Sequence, residues 1–201
     1  MAEISRGLAE SLFADRVREH IEVIEAVSDS TCLNEAARAA CEIATRVAAG
    51  ARVFFFGNGG SSMDAGHLAA EFLGRFTRER PALGGICLSD ATAAVTAIGN
   101  DYGFEEIFAR QLAGLARPGD VAVGLTTSGN SENVVRAFER ARDLGVFSVA
   151  LTGASGGRVL DVAQVCICVP TKETPRVQEA CLLLGHTICE FVEQALFPNA
   201  R

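Results

Sequence analysis

Twice along this chain a short β-prone run empties into a glycine-containing turn and then into a helical pattern. Arg52-Val-Phe-Phe-Phe56 runs into Gly57-Asn58-Gly59-Gly60, and a helix is predicted over 62–73. Asp120-Val-Ala-Val-Gly-Leu125 runs into Thr126-Thr127-Ser128-Gly129-Asn130-Ser131, and a helix is predicted over 132–142. Further strands are expected at 85–88, 146–151 and 165–169, with helices at 91–98, 105–115 and 176–196. Strands alternating with helices at this spacing build βαβ units. The expected fold is therefore α/β, a parallel sheet covered on both faces, with ligands at the carboxyl ends of its strands. Two more helices precede the first strand, over 5–26 and 33–48, with Ser30 or Asn34 as candidate caps of the second.

The 201 residues fit one domain, and no linker or repeat interrupts them. A formal net charge of −7 argues against a phosphate-backbone footprint, so no nucleic-acid partner is expected. The opening MAEISRGLAESLF does not read as a secretion signal, and no apolar run approaches the ~20 residues of a bilayer span. A soluble, cytoplasmic protein with no membrane partner is expected. Seven cysteines, Cys32, Cys41, Cys87, Cys166, Cys168, Cys181 and Cys189, lie in apolar segments without a C-x-x-C pair and read as buried thiols.

Glycine after a strand lets the backbone approach a ligand, and the following helix start offers unpaired N–H groups with a partial positive charge. The first turn lacks the Lys-Ser/Thr of a P-loop and does not fit the dinucleotide fingerprint, so nucleotide binding is disfavoured. The second turn carries four hydroxyls around Gly129, suited to phosphate oxygens, and Ser131 can also cap the next helix. Each turn alone is as well explained by capping. Together they favour phosphate binding at one shared site.

His67 and Glu71 are four apart on the helix after the first turn and share a face. Such a pair is more often an ordinary surface pair. Gln178 and His186 lie on the last helix, about 12 Å apart along a straight axis and about 80° around it. They do not reach one ion from one regular helix: either the helix is irregular or the two serve sites in different subunits. A lone histidine on an apolar helix is usually a core residue.

With these residues in view, the chain resembles the sugar isomerase (SIS) superfamily and, within it, bacterial phosphoheptose isomerases. The resemblance rests on Gly57-Asn-Gly-Gly-Ser61, Asp64-Ala-Gly-His67-Leu-Ala-Ala-Glu71, Ala97-Ile-Gly-Asn100-Asp101, Arg117-Pro-Gly-Asp120, Thr127-Ser-Gly-Asn-Ser131, Leu151-Thr-Gly153 and Arg176-Val-Gln178-Glu179 with His186 following. It implies a single SIS domain over 1–201, a Rossmann-like three-layer sandwich around a five-stranded parallel sheet. Additional N-terminal helices over about 3–48 would help build a homotetramer with intersubunit active sites. It implies conversion of D-sedoheptulose 7-phosphate to D-glycero-D-manno-heptose 7-phosphate, the opening step toward nucleotide-activated heptoses. Carried over by position, Glu71 matches the general base and His186 the general acid. Asn58, Gly59, Gly60, Ser61, Glu71, Asn100, Asp101, Thr126, Thr127, Ser128, Ser131 and Gln178 match sugar-phosphate contacts. His67, Glu71, Gln178 and His186 match ligands of one zinc ion. Pro175, where relatives often place Ala or Asp, and Met63 depart from the pattern. A non-catalytic sugar-phosphate-binding or replication-initiator-associating SIS protein, and an isomerase of another sugar phosphate, are the alternatives.

Overall fold

The computed structural model describes residues 5–28 and 30–200, so positions 3 and 4 of the expected N-terminal helical region lie outside the described residues. Helices α1 (Arg6–Ser28) and α2 (Thr31–Ala48) come first, and Ser30 caps the second by accepting from Cys32 N–H at 3.3 Å. Then follow β1 (Val53–Gly57), α3 (Gly60–Leu73), β2 (Gly85–Cys87), α4 (Thr92–Tyr102), α5 (Ile107–Leu115), β3 (Val121–Thr126), α6 (Glu132–Asp143), β4 (Phe147–Gly153), β5 (Val165–Val169) and α7 (Thr174–Leu196). The five strands form one all-parallel sheet in the order β2-β1-β3-β4-β5, the α/β architecture expected. The helix expected over 105–115 divides into a 3₁₀ turn at Phe104–Glu106 and α5, and the 3₁₀ turn at Gly157–Asp161 was not expected.

Strand periodicity divides the core into two layers. Val53, Phe55, Val123, Leu125, Val149, Leu151 and Ile167 bury one face with α2, α3 and α7. Phe54, Phe56, Ala122 and Ala150 bury the other with α5 and α6, where Phe56 lies 5.2 Å from Phe108 and 5.5 Å from Phe138 between ring centroids. Phe54 and Phe56 are fully enclosed, and each such side chain contributes about 2–3 kcal/mol of burial. The thiols do not all follow: Cys32, Cys181 and Cys189 are buried, Cys87, Cys166 and Cys168 half-buried, and Cys41 exposed. Cys166 and Cys168 lie on an edge strand with one lateral side unpaired, and Cys41 falls on the outer face of α2.

Two features align the site. Helices α3 and α7 lie side by side in the same direction: Gly60 meets Gln178, Leu68 meets Gly185, and His67 meets His186. Glu193, near the end of α7, accepts from the backbone N–H groups of Phe76, Thr77 and Arg78 and from Arg80 Nε at 2.8 Å, with both side chains 1% exposed. Arg80 in turn donates to the carbonyls of Glu71, Phe72, Gly74 and Pro81. The segment leaving α3 is thereby fastened to α7.

Candidate active site

Because β1 and β3 are neighbours, with Gly57 in register with Leu125, their turns open at the same edge of the sheet. A Cβ on Gly57 would stand 2.7 Å from the Ser61 carbonyl oxygen and 2.9 Å from that of Leu125, so no side chain fits there. Gly59 has φ 56° and ψ −124°, a conformation open to glycine. It starts α3 two residues earlier than expected, and no side chain caps that start. The first-turn N–H groups of α3 are thus free of side-chain acceptors, as an anion site requires.

In the second turn the expected cap does not form. Ser131 occupies the N-cap position of α6, but its hydroxyl lies 3.2 Å from Thr126 Oγ1 instead. Ser128 Oγ accepts from Asn130 N–H, and the Thr127 carbonyl accepts from Gly153 N–H. The two turns are tied by a reciprocal amide pair: Asn58 Nδ2 donates to Asn133 Oδ1 at 2.8 Å, and Asn133 Nδ2 donates to Asn58 Oδ1 at 2.9 Å. Asn133 is 2% exposed. Sequence reasoning passed it over, because a lone polar residue in the first turn of a helix gives no sign that its partner lies 75 residues away. Asn58, Ser131 and Asn133 line a cavity of about 320 Å³ with Phe104, Glu105 and Glu132.

The acid–base candidates converge on the α3–α7 seam. His67 Nε2 lies 2.8 Å from His186 Nε2 and 3.3 Å from Glu71 Oε1, and ligand atoms of all three fall within 4.8 Å of one another. Phe76 stacks on the His186 ring at 5.2 Å between centroids. Burial, then the His67 charge, lower the His186 pKa against a raising pull from Glu71, which favours the neutral, lone-pair-bearing imidazole. The two imidazoles aim ring nitrogens at each other beside a carboxylate, and a His₂Glu set suits zinc. Beside them Met63, Asp64, Gly66, His67, Asp90 and Leu182 line a cavity of about 530 Å³. Met63 brings apolar bulk to this wall, as its position in the sequence anticipates. Asp64, whose carboxyl is pushed up by burial, sits one turn before His67 and was legible from that spacing. Asp90 comes from the β2–α4 connection, where no periodicity points to it.

Not every candidate joins these groups. Asn100 and Asp101 are exposed at the end of α4, where Asn100 Nδ2 donates to Asp101 Oδ1 at 2.8 Å. Gln178 packs against Gly60 at the start of α3, where a Cβ on that glycine would collide with its amide. Helix α7 is continuous from Thr174 to Leu196, with Pro175 in its first turn, so Gln178 sits about two turns from the His186 imidazole.

Among known proteins, the SIS-domain family model matches residues 13–153. The phosphoheptose isomerase of Aquifex aeolicus is 53% identical over 152 residues, 76% of this chain and 80% of that protein. That of Rhodospirillum rubrum is 49% identical over 165 residues, 82% of this chain and 88% of that protein. The structure of phosphoheptose isomerase from Neisseria gonorrhoeae superimposes with a TM-score of 0.87 at 34% identity, over 92% of this chain and 99% of that one. With this identity over most of its length and the fold shared, the chain belongs to the phosphoheptose isomerase family of SIS-domain proteins.

Proposed function

We propose that this protein converts D-sedoheptulose 7-phosphate to D-glycero-D-manno-heptose 7-phosphate by proton transfer through an enediol. The observation that carries the reading is the convergence of His67, Glu71 and His186 beside a cavity, at the end of a helix whose start is an uncapped glycine turn. Phosphate would be held by the turn at Asn58, Gly59, Gly60 and Ser61 and by Thr126, Thr127, Ser128 and Ser131. Gln178, packed on the first turn, would contact the sugar. Glu71 would take the proton from the carbon beside the carbonyl, and His186 would donate to the oxygen on which charge develops.

His67, Glu71 and His186 would hold zinc, which when bound acts as a Lewis acid toward the carbonyl and its neighbouring hydroxyl. Since α7 is regular, a Gln178 ligand would come from another subunit. Gly60 and Glu71 stand about 16 Å apart along α3, which favours a phosphate turn and a carboxylate from different subunits acting on one substrate. Asn100 and Asp101, exposed in the single chain, would reach substrate in the same way. Shared sites require more than one subunit, and the family resemblance makes the assembly a homotetramer: the chain would fold as one SIS domain, with α1 and α2 in the assembly and catalysis in the cytoplasm. Among the described residues, no helix is long and apolar enough to cross a membrane.

Product NMR with sedoheptulose 7-phosphate, with and without a chelator, tests the assignment. Glu71→Gln and His186→Ala should each lower turnover by about 10²–10⁴-fold, the usual range for an acid–base group, with circular dichroism unchanged. Folded variants at wild-type rates would remove these roles. Absence of turnover by the unaltered protein would favour another sugar phosphate or a binding role. Loss of activity with chelator and its return with zinc would establish the metal.

A further inference from the structure

Among the described residues, strand β5 is an edge of the sheet and pairs with β4 alone. Cys166 and Cys168 stand two apart on it, on one face, and both are half-buried. In an extended strand such positions have Cα atoms about 6.6 Å apart, at the outer limit of the reach of a disulfide, so closing one requires the strand to bend. Their sulfurs already lie 3.6 Å apart, and an edge strand can pucker on its unpaired side. The S–H of Cys166, donated to the neighbouring sulfur, outweighs burial and lowers the Cys168 pKa, while the same bond and burial raise that of Cys166 until Cys168 is consumed. Burial pushes Cys32 up to about 11 and Cys189 up to about 12, which leaves them protonated and poor nucleophiles.

We propose that Cys166 and Cys168 are a redox-responsive dithiol that a low-molecular-weight disulfide closes to an intramolecular disulfide. The Cys168 thiolate attacks one sulfur of the small disulfide, forming a mixed disulfide and releasing one thiolate. Cys166 loses its proton to solvent and attacks the Cys168 sulfur, and the second thiolate leaves. Two protein thiols are oxidised to one disulfide, and one small disulfide is reduced to two thiols. The pair also reaches toward the site, because Cys168 is in register with Thr152 and Thr152 with Thr126 of the second turn. Puckering β5 at Cys168 disturbs this row, so the oxidised protein should bind the phosphorylated sugar more weakly. This second step rests on the isomerase reading; the first does not.

The test is oxidised glutathione in excess on the folded protein, followed by trypsin and mass spectrometry. Both sulfurs fall in the peptide 159–172, which holds no other cysteine. That peptide should become lighter by two hydrogens and carry no glutathione, and Cys166→Ser should instead trap glutathione on Cys168. A wild-type peptide that stays reduced, or retains glutathione, overturns the dithiol. If the disulfide forms, KM for sedoheptulose 7-phosphate should rise severalfold, reverse with dithiothreitol, and not change in the Cys166→Ser/Cys168→Ser double variant, which can form neither the disulfide nor the glutathione adduct at this strand. An unchanged KM in the oxidised protein overturns the coupling to the turn while leaving the dithiol in place.

Discussion

At the scale of single residues, Glu193 does the most for stability at a distance from the chemistry. Burial alone would raise its pKa, but the N–H groups of Phe76, Thr77 and Arg78, with the Arg80 guanidinium, prevail and hold it at about 2. A carboxyl more acidic folded than unfolded stabilises the fold above its unfolded pKa of about 4.3 and loses that contribution as pH falls toward 2. The contribution is on the order of 3 kcal/mol. Glu193→Gln should therefore cost about 3–5 kcal/mol at pH 7, since it strands a buried Arg80, and should flatten the fall in stability between pH 4.5 and 2. Urea unfolding across that range measures both. The Asn58–Asn133 pair makes a different demand: Asn133→Ala leaves one amide without its partner, at a cost of about 1–3 kcal/mol. Because the loss falls on the geometry of the turns, KM should rise about tenfold with a smaller change in kcat, as steady-state kinetics would show. An unchanged KM would confine the pair to a structural role.

At the scale of elements, the residues that read clearly in the sequence are those whose structure is set by neighbours in the chain. The runs at Val53–Gly57 and Val121–Thr126 are strands because β-prone residues end at glycine or hydroxyl turns, and of the two candidate caps of α2 Ser30 serves while Asn34 lies inside the helix. Misplacements occur where distant contacts decide. Helix α3 begins at Gly60, a poor helix former whose missing Cβ leaves room for the Gln178 amide. The 3₁₀ turn at Gly157–Asp161 has no hydrophobic period to announce it. The His67–Glu71 pair was visible at helical spacing, whereas its junction with His186 spans 119 positions and required the parallel packing of α3 on α7.

For the whole molecule, the notable fact is how much apolar surface one chain leaves uncovered. Leu8 and Phe13 of α1 are 73% and 75% exposed, Leu12, Val17 and Ile21 join them, and only Val27 of that helix is buried. Helix α4, despite its apolar composition, buries no residue. Uncovered apolar surface of this extent would suit the interface of the proposed tetramer. Light scattering should report a tetramer for the unaltered protein, and Phe13→Glu should reduce the mass toward smaller species with the helical content kept. If active sites are shared, turnover should fall with it; an assembly indifferent to this charge would place the interface elsewhere. The same-direction packing of α3 on α7 carries a consequence for how this sequence can vary. The two helices act as a pair of rulers read against each other, matched at Gly60 with Gln178 and at His67 with His186. A residue inserted between Gln178 and His186 would turn everything after it by about 100° and shift it by about 1.5 Å. It would swing the imidazole off the seam and Glu193 off its loop together. Descendants of this chain can exchange residues along these helices but cannot change their number, and loops alone are free to lengthen.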